Sequence, residues 1–299
     1  MALAQLVDAA LAELGDGEAL RPVVEKELLH YDILHALDRA GLLDILTFQG
    51  GTALRLCYGA SRYSEDLDFV GGRDFAAPDL AAIAGVVEEA IGERYGLEVR
   101  VKEPSLRAEA RGVAVSRWQV AVVTAPGRPD LPKQRIRIEV VNVPAYSGEL
   151  RGLRRNYSVL PDGYEDVLVP VESRAEIMAD KLVSLVVVEE PVRYRDLWDL
   201  AWLHQQGVEP AADWVEAKTA DYGVVDYVDR LQRRLESLSS LVHGSAFAEQ
   251  MGRFLPPAVI RRTLERPGFP EYVERTNREL LTAVREGLAG GPDGAPFRM

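Results

Sequence analysis

Two aspartates one residue apart, Asp66 and Asp68, have the type and spacing to grip a divalent cation together. On a β-strand, residues i and i+2 share a face, so both carboxylates would emerge on one side while Leu67 and Phe69 point to the other. Carboxylates held that close repel unless a cation or a proton intervenes, and hard oxygen ligands suit Mg²⁺ or Mn²⁺. Taken alone, Asp-x-Asp is a weak pattern that more often marks a solvated strand face or turn. Upstream, Gly50-Gly51-Thr52 adds a second feature. Glycines let a backbone approach a phosphate closely, and the free N–H groups of a helix start attract anions. A bare Gly-Gly is an ordinary strand-to-helix turn; joined to the acidic pair, it points to metal-assisted phosphate chemistry.

Local patterns supply the elements that must hold these residues. Apolar residues at helical spacing predict helices over 3–14 and 22–43, with Gly41 as a stop. Leu46-Thr47-Phe48-Gln49 reads as a short strand, Gly50-Gly51 as a tight turn, and Thr52 to Tyr58 as a helix closed by Gly59. The acidic pair opens the next strand, Asp66 to Val70, which Gly71-Gly72 ends. After a helix near 79–94, alternation over Leu97–Val101, Ala114–Thr124 and Arg135–Val143 predicts three more strands. Beyond Val169-Pro170 the pattern turns helical, starting at Ser173 and Glu176, which have capping-box spacing. Pro191 breaks that helix, Tyr194 to His204 forms the next, and further helices are expected at 211–220, 222–242, 245–254, 257–265 and 270–288. The expected fold is therefore α+β: a mixed β-sheet core with flanking helices over 1–168, followed by a helical domain over 169–299 that packs tightly on it and closes a shared cleft.

Phe48-Gln49-Gly50-Gly51-Thr52-Ala53-Leu54 followed by Arg62-Tyr63-Ser64-Glu65-Asp66-Leu67-Asp68-Phe69 resembles the AbiEii and MenT group of toxins, within the DNA polymerase β-like nucleotidyltransferase superfamily. The likeness continues at Ala179-Asp180-Lys181-Leu182 and Arg195-Asp196-Leu197-Trp198-Asp199-Leu200, so it spans roughly residues 25 to 205, and the chain beyond carries no motif. The resemblance implies a nucleotidyltransferase-like sheet core. It makes Gly50, Gly51 and Thr52 the nucleotide-phosphate turn, Ser64 a phosphate contact, Asp66 and Asp68 the metal ligands and Lys181 a triphosphate ligand. Asp196 and Asp199 match an acidic helix motif implicated in activity. Glu139, in Ile136-Arg137-Ile138-Glu139-Val140, is the candidate for a third carboxylate; a surface glutamate paired with Arg135 or Arg137 is the competing account.

Lys181 on an amphipathic helix would ordinarily be a surface residue. Asp196 and Asp199 lie three apart and share a helix face, and the break at Pro191 folds their helix back beside that of Lys181, with Asp199 more nearly level with it. A salt-bridged hairpin explains the trio without catalysis. Asp180 points elsewhere and is expected to be structural.

The implied reaction is in-line transfer of a nucleotide from a nucleoside triphosphate, with Mg²⁺ or Mn²⁺, to an RNA end such as the tRNA 3′ end. The implied setting is a toxin–antitoxin pair with a cognate antitoxin. An acceptor that is a protein or a small molecule keeps the same site, and a module that holds GTP without turnover is the third reading. Net charge is −12, which argues against indiscriminate coating of nucleic acid. Residues 100–155, however, hold twelve Lys and Arg against five Asp and Glu, a local +7 against −19 for the remainder. Arg107, Arg111, Lys133, Arg151, Arg154 and Arg155 are the candidate RNA contacts, although local bridges to acidic helices account for the same charge.

Other chemistries are excluded by composition. Cys57 is the only cysteine, so no internal disulfide or thiolate cluster forms, and it reads as core filler. His30, His35, His204 and His243 lack zinc spacing, Trp198 and Trp202 read as core, and there is no nucleophile elbow or P-loop. No apolar run approaches the roughly 20 residues of a membrane span and the start lacks a basic signal region, so a cytoplasmic protein with no membrane partner is expected.

Overall fold

The computed structural model describes residues 1–15, 18–104, 112–128 and 130–290. Arg107 and Arg111 lie outside the described residues. The chain divides into two compact units, Met1–Glu172 with Arg253–Pro257, and Ser173–Gly252 with the residues from Ala258 onward.

The first unit is a seven-stranded mixed sheet with helices, built from α1 (Leu3–Leu14), α2 (Arg21–Arg39), β1 (Thr47–Gln49), α3 (Gly50–Leu56), β2 (Leu67–Val70), α4 (Ile83–Tyr95), β3 (Val99–Lys102), β4 (Val115–Val122), β5 (Gln134–Val141), β6 (Gly148–Gly152) and β7 (Leu168–Glu172). Strand order is β3-β4-β5-β2-β1-β7-β6. β2 runs parallel to β5 and β1 parallel to β7, and the remaining pairs are antiparallel. Alternation decides what each face carries. Leu67 and Phe69 on β2, Trp118, Val120 and Val122 on β4, and Ile136, Ile138 and Val140 on β5 are all buried. The residues between them, Asp68, Arg117, Gln119, Arg137 and Glu139, occupy the other face. α2 packs on β5 and α4 on β3.

Two strands were not expected. β6, Gly-Glu-Leu-Arg-Gly, has glycine at both ends and little β-propensity. β7 contains Pro170, which cannot donate to a ladder, and it lies beyond the boundary expected at 168. The parallel pairing of Phe48 with Val171 places β7 inside the sheet, and the first unit accordingly runs on to Glu172.

The second unit is helical: α5 (Arg174–Val187), α6 (Tyr194–Gln205), α7 (Ala212–Asp221), α8 (Tyr227–His243), α9 (Ser245–Gly252), α10 (Pro257–Arg262, entered from the first unit) and α11 (Phe269–Ala289). The Ser173 hydroxyl accepts the Glu176 N–H at 3.2 Å, the N-cap that its spacing predicts. α5 and α11 each pack on α7 and α8, and α6 packs on both. Lys218, fully buried, pairs with Glu176 at 2.7 Å and Asp180 at 3.0 Å, which gives Asp180 a structural task. No helix among the described residues is long and apolar enough to cross a membrane.

Candidate active site

Asp68 lies on β2 between two strands, opposite Gln49 of β1 and Glu139 of β5. Glu139 is in turn opposite Arg117 of β4. Register therefore forms one row across four strands, Gln49, Asp68, Glu139 and Arg117, on the face away from the buried apolar residues. Asp66, just ahead of β2, lies beside Arg137 of β5 and takes its backbone N–H at 3.3 Å.

The glycine turn closes against this row. Gly50 has φ of +76°, a conformation that costs other residues about 1–2 kcal/mol. A Cβ there would stand 2.9 Å from Asp68 Oδ2, so the aspartate carboxylate rests directly on the turn. At Gly51 a Cβ would meet the Arg62 guanidinium at 2.4 Å and Ser64 Oγ at 3.0 Å. Arg62 is buried and donates to the Tyr63 carbonyl at 2.6 Å, while Ser64 is also buried. Thr52 is buried and its hydroxyl donates to the Asp66 carbonyl, tying the first turn of α3 to the entry of β2. From the other side, Lys26 pairs with Glu65 at 3.0 Å and His30 Nε2 meets the Glu65 carbonyl at 3.1 Å. The structure thus gathers Gly50, Gly51, Thr52, Ser64, Asp66, Asp68 and Glu139 about one strand entry.

Two cations that the motifs do not mark share this face. Arg137 holds Asp66 through Nη2 to Oδ2 at 2.5 Å and Nε to Oδ1 at 3.2 Å. Burial pushes the Asp66 carboxyl up, but the Arg137 guanidinium and the Lys26 charge together bring it below the usual carboxylate range. Arg117 Nε donates to Glu139 at 2.6 Å, with Arg137 3.8 Å from the same carboxylate oxygen. Glu139 is thus paired with an arginine, but chiefly with Arg117 and not with the Arg135 or Arg137 expected from the sequence, Arg137 lying farther away. Alternation on β5 alone puts Arg137 on the face of Glu139; Arg117 could be found only from the β4–β5 register.

In the helical unit, Lys181 is buried and bridges Asp196 at 3.0 Å and Asp199 at 2.7 Å. Ser184 and Arg193 also bond Asp196. Burial raises the Asp196 carboxyl, and the Lys181 and Arg193 charges more than offset it, leaving it below its ordinary range.

Among the described residues, the basic candidates do not form one patch. Lys133 lies 4.0 Å from Glu98 on the β3–β5 side, whereas Arg151 is on edge strand β6 at the other end of the sheet. Arg151 pairs with Glu149 at 2.6 Å and stacks over Tyr58, and Arg155 pairs with Asp162 at 2.8 Å. Arg154 is exposed, its guanidinium lying against Gly59.

The sequence profile of the nucleotidyl transferase AbiEii toxin family, of type IV toxin–antitoxin systems, matches residues 32–275. The chain belongs to this family. Among solved structures the AbiEii chain resembles MenT4, a nucleotidyltransferase toxin of Mycobacterium tuberculosis, at 18% identity and a TM-score of 0.57, over 94% of this chain and 90% of that one. A putative nucleotidyltransferase of H. pylori is similar at 18% identity and a TM-score of 0.50, over 89% and 96% of the two chains. At that identity the likeness is one of fold. No individually curated protein matches the sequence. The family match extends the motif resemblance well past residue 205, into the helices that carry no motif of their own.

Asp66, Asp68 and Glu139 offer carboxylate oxygens only, the donor type that Mg²⁺ or Mn²⁺ prefers, with Asp66 held by Arg137 and Glu139 by Arg117.

Proposed function

We propose that this AbiEii-family nucleotidyltransferase uses a divalent cation to move a nucleotide from a nucleoside triphosphate onto an RNA acceptor, the tRNA 3′ end being the favoured one, releasing pyrophosphate in the cytoplasm. One observation carries the proposal: the Asp68 carboxylate packs 2.9 Å from the position a Gly50 Cβ would take, so turn and carboxylate can meet one phosphate chain. Asp66 and Asp68 would hold Mg²⁺ or Mn²⁺, with Glu139 as third ligand or as base for the attacking hydroxyl. Such cations supply charge neutralisation at the reacting phosphate and activation of the incoming oxygen.

The chain's own residues do the positioning. Gly50, Gly51 and Thr52 would admit the phosphates to the backbone, and Ser64 would contact them. Lys181, with Asp196 and Asp199, is proposed from its motif to serve the triphosphate; in the structure its ammonium bridges the two aspartates. Lys133, Arg151 and Arg154 are proposed RNA contacts, with Arg155, Arg107 and Arg111 retained from the sequence. A cognate antitoxin is the partner the family implies.

Incubation with each α-labelled triphosphate, Mg²⁺, tRNA and a protein mixture tests this. Label should enter RNA and fall by on the order of a hundredfold or more in Asp66→Asn and Asp68→Asn. Label on polypeptide would move the acceptor to protein, and bound but unreacted nucleotide would leave a binding module.

A further inference from the structure

We propose that Arg137 is a positioning residue for this face: an internal counter-ion that a divalent cation must displace from Asp66. The inference rests on the reading of Asp66 and Asp68 as cation ligands. Its own support is geometric. Arg137 takes both oxygens of Asp66, through Nη2 at 2.5 Å and Nε at 3.2 Å, in a two-pronged pair. A cation that coordinates Asp66 needs those lone pairs, and a guanidinium cannot share the position with a second positive charge. The guanidinium has somewhere to go, because the Arg137 side chain is 48% exposed while that of Asp66 is 16% exposed.

The β5 register makes the arrangement more than a chance surface pair. Arg137 is two residues before Glu139 on the same face, and Glu139 stands opposite Asp68. The charges therefore run in order Asp66, Arg137, Glu139, Arg117, with contacts of 2.5, 3.8 and 2.6 Å. Three carboxylates on adjacent strands would repel, and interleaved guanidiniums remove that repulsion until a cation takes over the task. A lysine could supply the charge but not the planar fork that occupies both oxygens.

Titration of the nucleotide-free protein with Mn²⁺, reading the free ion by electron paramagnetic resonance at low ionic strength, decides the point, with circular dichroism to check folding. Arg137→Gln should bind Mn²⁺ about tenfold more tightly than the native chain, Arg137→Lys should fall between them, and Asp68→Asn should lose binding. In chelator, Arg137→Gln should melt below the native chain and gain more from added Mn²⁺. Equal or weaker Mn²⁺ affinity in Arg137→Gln, with binding still lost in Asp68→Asn, would overturn the counter-ion proposal and leave the cation site standing. Native-like binding in Asp68→Asn, or none in the native chain and Arg137→Gln alike, would instead remove the cation site itself. If Arg137→Gln does not fold, Arg137→Lys decides: affinity at or below the native value refutes the displacement.

Discussion

A methyl group added at Gly50 would meet two penalties at once, a backbone φ of +76° and Asp68 Oδ2 only 2.9 Å away. The first costs about 1–2 kcal/mol of stability, and the second forces the carboxylate off the turn. Gly50→Ala should therefore shift the urea midpoint modestly while cutting nucleotide transfer by roughly tenfold or more, since a displacement of about 1 Å is costly to catalysis. Transfer at the native rate in a folded Gly50→Ala protein would mean that the contact between turn and aspartate is incidental. Cys57 shows the opposite case, a reactive residue type made inert by its setting. Burial pushes its thiol up to about 12, in keeping with its expected role as core filler.

Helix α2 supplies the back wall of the strand entry, and His30 makes that support dependent on pH. His30 is fully buried; its Nε2 meets the Glu65 carbonyl and its Nδ1 has no hydrogen-bond partner. A second ring proton would be buried without an acceptor, and desolvation accordingly lowers the pKa from 6.5 to about 4, against the opposing pull of Glu27. Because the folded value lies below the unfolded one, the unfolded chain binds the proton first as pH falls. The contribution is complete above about pH 6.5 and lost between there and about pH 4, amounting to about 3 kcal/mol. Urea denaturation should show that loss in the native chain and a smaller one in His30→Gln, whose amide can still donate to Glu65. Identical pH profiles for the two proteins would assign the acid sensitivity elsewhere.

Across the whole molecule, chain order and spatial unit part company at one segment. Arg253–Pro257 lies in the sequence among the late helices yet belongs to the sheet unit, where the Phe254 carbonyl accepts the Tyr63 N–H at 2.8 Å and Leu255 is fully buried. Leu255→Ala should cost about 2–5 kcal/mol and speed amide exchange at Tyr63, next to the Ser64–Asp68 segment. Faster exchange confined to α8, α9 and α11 would show that the segment stabilises the helical unit instead. Much of the candidate site in the sheet unit is legible in the one-dimensional pattern, because side-chain direction follows from local periodicity: Asp66 with Asp68 and glycine at the turn need no distant residue, and in the helical unit neither do two helices parted at Pro191. Pairing is not local. The sequence contains no statement that Arg117 stands opposite Glu139, that β7 enters the sheet beside β1, or that Lys133 and Arg151 lie on different sides of it. Those facts come from register and strand order, set by the burial of every strand's apolar face together, and it is they that decide which cation neutralises which carboxylate.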